Sequence, residues 1–390
     1  MEIKSMEQAI ESLAPKLIEL SHRIHQQPEL AFQEHQAAKW VATFLREEGF
    51  QVTTEVAGME TAVKGVVDSG KEGPVVAFLA EYDALPELGH ACGHNMIAAT
   101  SLGAAAALAQ VVKETGGKVI LLGTPAEEIG GGKIRLLEAG VFDGVDFALM
   151  THPSNENLVG RASTACSELV MQFHGKSAHS SKPEKGIDAL KPLIQMFNHV
   201  DRLLPTFSQR ARINGIITAG GVASNIIVED ACGKFLIRSN LKAEVEEILL
   251  VLQKLAEEEA RKVGASVKLF HDEVYGERYP NFVLEGRFKE YLESMGEKVS
   301  FADPEEPTGS SDMGNISMVM PTIHPYLKIA ESHVNGHTKE FAAASASPEA
   351  DQMLVKGAVA LAKVGYDLLT EPALGEAALK EFKEKVPQQR

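Results

Sequence analysis

The sequence predicts an α/β fold: a mostly parallel sheet flanked by helices, with a smaller ferredoxin-like α+β domain inserted into it. Three observations carry this. Apolar runs such as "PVVAFLAEYD", "KVILLGTPAEE" and "VDFALMTHP" alternate with helical stretches, the order that builds parallel strands joined by crossover helices. The runs are nearly continuous rather than alternating, as in strands covered on both faces. From about Cys166 the texture changes to the order β-α-β-β-α-β, that of the split ferredoxin-like unit.

Taken in order, "SMEQAIESLAPKLIELSHRIHQ" and "EHQAAKWVATFLREEGF" carry apolar stripes at helical spacing, and "QVTTEV" and "TAVKGVV" read as short strands. The strand "PVVAFLAEYD" ends in acidic residues, the pattern of a buried strand whose carboxyl end meets a site. An Ala-rich helix follows, then two more strands of the same design. In the inserted domain, "CSELVMQFHG", "ARINGIITAGG", "ACGKFLIRSNL" and "ASVKLFHDE" read as strands, and "KGIDALKPLIQMFNHVDRLL" and "KAEVEEILLVLQKLAEEEARKV" as helices. "YGERYPN" is the return linker, and helices near "FVLEGRFKEYLESMG" and "SPEADQMLVKGAVALAKVGYDLL" complete the first domain. The expected division is 1–165 and 278–390 for the larger domain and 166–277 for the insert.

The composition, 44% hydrophobic and 24% charged over 390 residues, is that of a globular protein. A net charge of −16 argues against a nucleic-acid groove or an anionic membrane surface as partner. No signal-peptide pattern is read in "MEIKSMEQAIESLAPKL", and the apolar run "MIAATSLGAAAALAQVV" falls short of the roughly 20 residues that span a bilayer. Cys92, Cys166 and Cys232 are too few and odd in number for a disulfide framework. The expectation is a cytoplasmic protein.

The chemistry concentrates at strand ends. In "GHACGHN", Cys92 and His94 are set two apart around a glycine, so their side chains point the same way. Packing, a cysteine–histidine nucleophile pair and a shared metal ion are the three readings, and parallel side chains suit two bonds to a third atom. In "GTPAEEIGGG", Glu127 and Glu128 sit at the end of an apolar strand, where adjacent carboxylates need a cation or a proton. One would bind metal while the other takes a proton from water. His152 is expected to end a third strand of the same sheet, and "TIHPYLKIAESHVNGHTKEF" offers His324, His333 and His337, among which spacing does not choose. "GGGK" lacks the frame of a phosphate loop, "GGVASN" the layout of a dinucleotide fingerprint, and no G-x-S-x-G elbow exists.

"HQQPELAFQE", "EYDALPELGHACGHN", "TPAEEIGGG", "THP", "GKSAHSSKP", "GGVASNIIVEDA" and "HTKEF", in this order, resemble the co-catalytic metal aminoacylase and carboxypeptidase family. Within it they resemble the amidohydrolases that cleave hippurate, auxin conjugates and aminobenzoyl-glutamate. The resemblance covers nearly the whole chain. It implies two divalent metal ions, manganese or zinc, held by Cys92, His94, Glu128, His152 and His337, with Glu127 as general base and Asp83 orienting the site. The insert resembles a lid that also forms a homodimer. His179 resembles the histidine that reaches a neighbouring subunit's site, and Asn225 and Arg238 resemble substrate-contacting residues.

Where the subfamily commonly reads "CGHD", this chain has Asn95, an amide without the charge, which would change site electrostatics or metal preference. "GHN" and "GSSDMGN" resemble the branch that hydrolyses aminobenzoyl-glutamate and dipeptides. The function so implied is metal-dependent hydrolysis of the amide bond of a small N-acyl or N-aminoacyl amino acid. The alternatives are a catalytically silent metal-bearing protein that binds peptides or metabolites, and a cysteine hydrolase using Cys92.

Overall fold

The computed structural model describes residues 3–304, 306 and 308–387. The chain divides into two compact units: the described residues up to Ala162, from Arg278 to Glu306 and from Asn315 onward form the first, and Ser163–Glu277 with Thr308–Gly314 form the second. The first begins with α1 (Ile3–Gln26), α2 (His35–Glu47), β1 (Gln51–Thr54), β2 (Val63–Asp68) and β3 (Val75–Ala80). It continues with α3 (His94–Thr115), β4 (Lys118–Gly123), α4 (Gly132–Glu138), β5 (Phe147–Leu149), β6 (His152–Ser154) and β7 (Leu158–Val159). The second holds β8 (Ala165–His174), α5 (Leu190–Leu203), β9 (Arg212–Ala219), β10 (Asp230–Ser239), α6 (Lys242–Val263) and β11 (Ser266–His271). The chain then runs through α7 (Phe282–Ser294), β12 (Ser300–Phe301), α8 (Met313–Ser317), β13 (Thr322–Ile323) and β14 (Tyr326–Lys328) to α9 (Lys339–Ala344), α10 (Pro348–Thr370) and α11 (Pro372–Lys385).

The main sheet has the order β1-β2-β4-β3-β5-β13. It is parallel from β4 through β13, but β1, β2 and β4 pair antiparallel, because the link from β1 to β2 is too short for a crossover helix. "VDFALMTHP" does not form one strand. β5 ends at Leu149, and His152 opens β6 in a separate four-stranded sheet, β12-β7-β14-β6, where it runs parallel to β14. His152 therefore does not end a third strand of the main sheet, as the sequence suggested. The N–H of His152 donates to Pro325 O at 2.8 Å, and Pro153, with no N–H, could not have continued the first ladder.

α3 packs on β3 and β4 on one side and on α1 and α10 on the other. At 22 residues it is longer than the apolar run marked in the sequence, and by length and composition it could cross a membrane. In this fold almost all of it is buried inside the first unit. Gly103 makes the packing possible: a Cβ there would stand 2.7 Å from Leu17 Cδ1 and 3.2 Å from Ala358 Cβ, so α1 and α10 both approach its backbone.

The second unit is an antiparallel sheet of order β11-β8-β10-β9, with α5 and α6 packed on it, the ferredoxin-like arrangement expected of the insert. The expected borders did not include Thr308–Gly314 in it. That segment joins through tertiary bonds: Thr164 N–H donates to Gly309 O at 3.0 Å, and Arg238 Nη1 donates to Ser310 Oγ at 2.9 Å. No local pattern marks such a return.

On α7, Glu285 is fully buried, accepts the His324 N–H at 2.9 Å, and has its carboxyl pushed by burial from an ordinary 4.5 up to about 7. Folding therefore favours its protonated form. That stability is fully present below about pH 4.5 and is lost as pH rises through about 7. Glu285→Gln should match the wild type near pH 5 and exceed it at pH 8 by on the order of 1–3 kcal/mol, read as separating urea midpoints. Midpoints that keep a constant separation across that range would contradict the assignment.

Candidate metal centre

Glu81 and Asp83 follow the end of β3, two apart and both buried, so both carboxylates face the first residue of α3. His94 Nδ1–H donates to Asp83 Oδ1 at 3.0 Å, which turns Nε2 inward. Burial alone would lower the His94 pKa, but Asp83 outweighs it and holds the imidazole well above its usual range. The same Asp83 pairing keeps that carboxyl below the usual range against its own burial.

The glycine between Cys92 and His94 is required twice over. Gly93 caps α3 at φ 77°, in the left-handed region, and a Cβ on it would lie 2.7 Å from Pro153. That close approach brings His152 beside the thiol, with Cys92 Sγ 3.4 Å from His152 Nε2. His152 Nδ1–H donates to Pro153 O at 2.7 Å, so the Nε2 lone pair faces the thiol, and burial lowers its pKa to about 4, leaving a neutral ring.

The two glutamates are aimed by a strained turn. Ala126 has φ 59°, unusual for a residue with a Cβ. Its N–H donates at 2.9 Å to Oε1 of Glu34, while the Glu128 N–H donates at 3.0 Å to Asp83 Oδ2. Glu127 Oε2 and Glu128 Oε1 each come within 3.9 Å of His94 Nε2. Glu128 Oε2 lies 3.7 Å from His337 Nε2. His337, also at positive φ (61°), is anchored by its N–H to Ala91 O at 2.8 Å, next to the thiol.

Metal-binding donor atoms thus converge in overlapping triangles: Cys92, His94 and His152 form one, and Cys92, Glu128 and His337 another, each with its atoms within 4.8 Å of one another. Cys92 is common to both. His94 Nε2 and Glu128 Oε1 are buried without a hydrogen-bond partner, the condition of atoms awaiting a cation. Thiolate, imidazole and carboxylate are together a suitable donor set for a divalent transition metal. The residues fit such ions.

Of the three late histidines, His337 meets Glu128, His324 stacks on the His152 ring with centroids 5.3 Å apart, and His333 is exposed and belongs to neither triangle. Asn95 does not face the donors. Its amide donates to Ser21 Oγ and Ser345 O, both at 2.9 Å, and a carboxylate could not donate to that carbonyl. The changed site electrostatics expected from Asn95 therefore have no direct contact behind them. A cysteine nucleophile is also disfavoured: burial, with Glu128 adding to it, pushes the Cys92 thiol far up, opposite to an activated thiolate.

Three buried residues had no role in the sequence reading. Glu34 holds the Ala126 turn, and burial with the Asp83 charge pushes its carboxyl up to about 7. Glu81 and Lys133 form a buried pair at 2.6 Å. Glu34 lies in "PELAFQE" and Lys133 in "GGGK", but charged residues beside turns give no sign of being buried.

In the second unit, Ser180 N–H donates to Asn225 O at 2.9 Å and Ile227 N–H to Ala178 O at 2.8 Å, which sets His179 and Asn225 on facing stretches. These stretches continue the β8–β10 ladder beyond the His174–Asp230 pair. Arg238 pairs with Cys166 at the other end of that ladder, eight residues along β10. At about 3.3 Å per residue those eight residues put about 26 Å between Arg238 and Asp230, and His179 and Asn225 lie beyond Asp230, so this ladder does not bring Arg238 together with them.

Residues 77–387 match the model of peptidase family M20/M25/M40. The mouse (Mus musculus) Xaa-Arg dipeptidase is 36% identical over 403 residues, covering 98% of this chain and 92% of its own. A p-aminobenzoyl-glutamate hydrolase chain of Escherichia coli is 30% identical over 337 residues, covering 79% and 69%. A crystal structure of a Bacillus subtilis dinuclear metal-binding peptidase shares the fold, with TM-score 0.62 at 22% identity over 91% of this chain and 99% of that one. The chain is a metal-dependent hydrolase of amide bonds and belongs to peptidase family M20/M25/M40.

Proposed function

We propose that the chain cleaves the amide bond of small N-aminoacyl or N-acyl amino acids, of the dipeptide or aminobenzoyl-glutamate type, as a cytoplasmic homodimer carrying two zinc or manganese ions per subunit. The observation that carries the reading is the thiol of Cys92 shared by two donor triangles, with the Glu127 carboxylate beside them. The names of the mouse and E. coli relatives, a dipeptidase and an aroyl-amino-acid hydrolase, support the substrate class.

Cys92, His94, Glu128, His152 and His337 would hold the ions, which when bound supply a Lewis acid for the scissile carbonyl and acidify a water molecule. The Glu127 carboxylate, 8% exposed at the edge of the cluster, accepts the proton of the attacking water and passes it to the departing amine. Asp83 keeps His94 in the tautomer that presents Nε2, and Glu34 and Asp83 hold the Glu127–Glu128 backbone in place. His179 of a second subunit donates to the developing oxyanion. The placing of Arg238 and of the His179–Asn225 pair toward opposite ends of the β8–β10 ladder supports that division, because one subunit would use its own Arg238 and its neighbour's His179. β9 at the sheet edge exposes Ile216 and Ile217, an apolar edge that supports pairing of subunits.

Primary-amine release from a panel of N-acyl amino acids, dipeptides and aminobenzoyl-glutamate should be chelator-sensitive for at least one member. Release from none, by metal-loaded protein, would favour a binding protein; release that survives chelation but not alkylation would restore Cys92 as nucleophile. Glu127→Gln should lower kcat by ~10²–10⁴-fold with metal content intact. Cys92→Ala should lower bound metal, because both triangles lose a donor. Mixing inactive His179→Ala and Glu127→Gln subunits should restore about a quarter of wild-type activity, since half of randomly paired dimers carry one complete site. No recovery after verified exchange would place His179 in its own subunit's site or outside catalysis.

A further inference from the structure

The five proposed ligands leave unexplained the fully buried carboxylate of Glu81, which lies against one of them. Glu81 and Lys133 are both 0% exposed, and Lys133 Nζ lies 2.6 Å from Glu81 Oε1. A buried ion pair is expensive to desolvate and is weak evidence of a stabilising role. Building this one also constrains the chain. Gly131 caps α4 at φ 62°, and a Cβ on Gly132 would stand 1.9 Å from Pro125 O, so the glycine run folds tightly and seats Lys133 beneath the end of β3.

The other oxygen of Glu81 shows what the arrangement is for. Glu81 Oε2 is buried with no hydrogen-bond partner, and it lies 3.4 Å from His94 Nε2, which has none either. A histidine–carboxylate hydrogen bond is shorter, as the 3.0 Å contact of His94 Nδ1 with Asp83 shows. Oxygen and nitrogen donors each about 2.1 Å from one tetrahedral cation are about 3.4 Å apart. A Glu127 oxygen completes a third triangle with these two atoms, all within 4.8 Å of one another.

We propose that Glu81 is a sixth metal ligand, binding the same cation as His94, and that Lys133 is the positioning residue that holds one carboxylate oxygen so that the other is aimed at that cation. The inference rests on the metal-hydrolase reading above. Lys133 also offsets the added negative charge where Asp83, Glu127 and Glu128 already crowd His94. The donor has an oxygen for the metal on one side and a fixed cation on the other, the kind of support that orients metal ligands elsewhere.

The test uses the full chain and reads metal rather than turnover. Wild-type protein should retain two equivalents of zinc or manganese by elemental analysis, and its cobalt-loaded form should show a defined visible absorption spectrum. Glu81→Gln keeps the size and removes the anionic donor. It should weaken one equivalent by at least ~100-fold in chelator competition and alter the cobalt spectrum. Circular dichroism checks that this variant folds with the Glu81–Lys133 ion pair removed. The double variant Glu81→Gln/Lys133→Met removes both buried charges and separates the two roles. If Glu81 is a ligand, the double variant stays depleted and spectrally altered. If Glu81 only neutralises Lys133, the double variant regains two equivalents and the wild-type spectrum, and the proposal is overturned while the five-ligand site stands. Wild-type protein that takes up no metal would overturn the hydrolase reading together with this one.

Discussion

The site depends on Asp83. One oxygen accepts from the ring of His94 and the other from the backbone of Glu128, so a single buried carboxylate joins the end of β3, the start of α3 and the turn after β4. Each of those segments carries donors: Glu81 after β3, Cys92 and His94 around the start of α3, Glu127 and Glu128 after β4. Without that tie the three would be adjacent only through their sheet and helix packing, which sets positions to within a side chain but not the orientation of a ring or a carboxylate. Asp83 decides which nitrogen of His94 faces the cluster.

The same tie creates an electrostatic problem that explains the chemistry. Glu34, Glu81, Asp83, Glu127 and Glu128 lie within one buried neighbourhood, where Lys133 is paired with Glu81. Burial, with Asp83 adding to it, raises the carboxyls of Glu34 and Glu128, and burial with Glu128 raises the thiol of Cys92. Such a group of anions is poorly matched to an apolar interior unless cations join it, and bound divalent ions reverse the direction of each of these shifts. The unpartnered atoms of His94, Glu81 and Glu128 show where the imbalance is focused.

Backbone strain is placed accordingly. Ala126 and His337 both adopt left-handed φ although they carry side chains, and each is held by a hydrogen bond from its N–H, to Glu34 and to Ala91. Such conformations persist only where surrounding contacts determine them. Here they turn Glu127, Glu128 and the His337 ring toward Cys92 and His94. The glycines near the site work differently: Gly93 and Gly132 are set by the approach of Pro153 and Pro125, which leaves no room for a Cβ.

Much of this was legible before any coordinates. Local periodicity marked α6 (Lys242–Val263) almost residue for residue, separated the inserted β-α-β-β-α-β unit from the larger α/β body, and placed Cys92 and His94 just before an Ala-rich helix and Glu127 and Glu128 at the end of an apolar strand. Ordered motifs then implied the ligand set and the hydrolase family. Other features needed contacts between residues far apart in sequence. Only packing moved His152 into a second sheet, turned Asn95 toward Ser345, and returned Thr308–Gly314 to the inserted unit. The burial of Glu34 and of the Glu81–Lys133 pair was equally hidden, because a charged residue in a loop reads as solvated until the tertiary fold closes over it. Sequence carries the period of each element and the types of its donors. The convergence of those donors is set by side-chain contacts across 60 residues of chain and more, which no local pattern encodes.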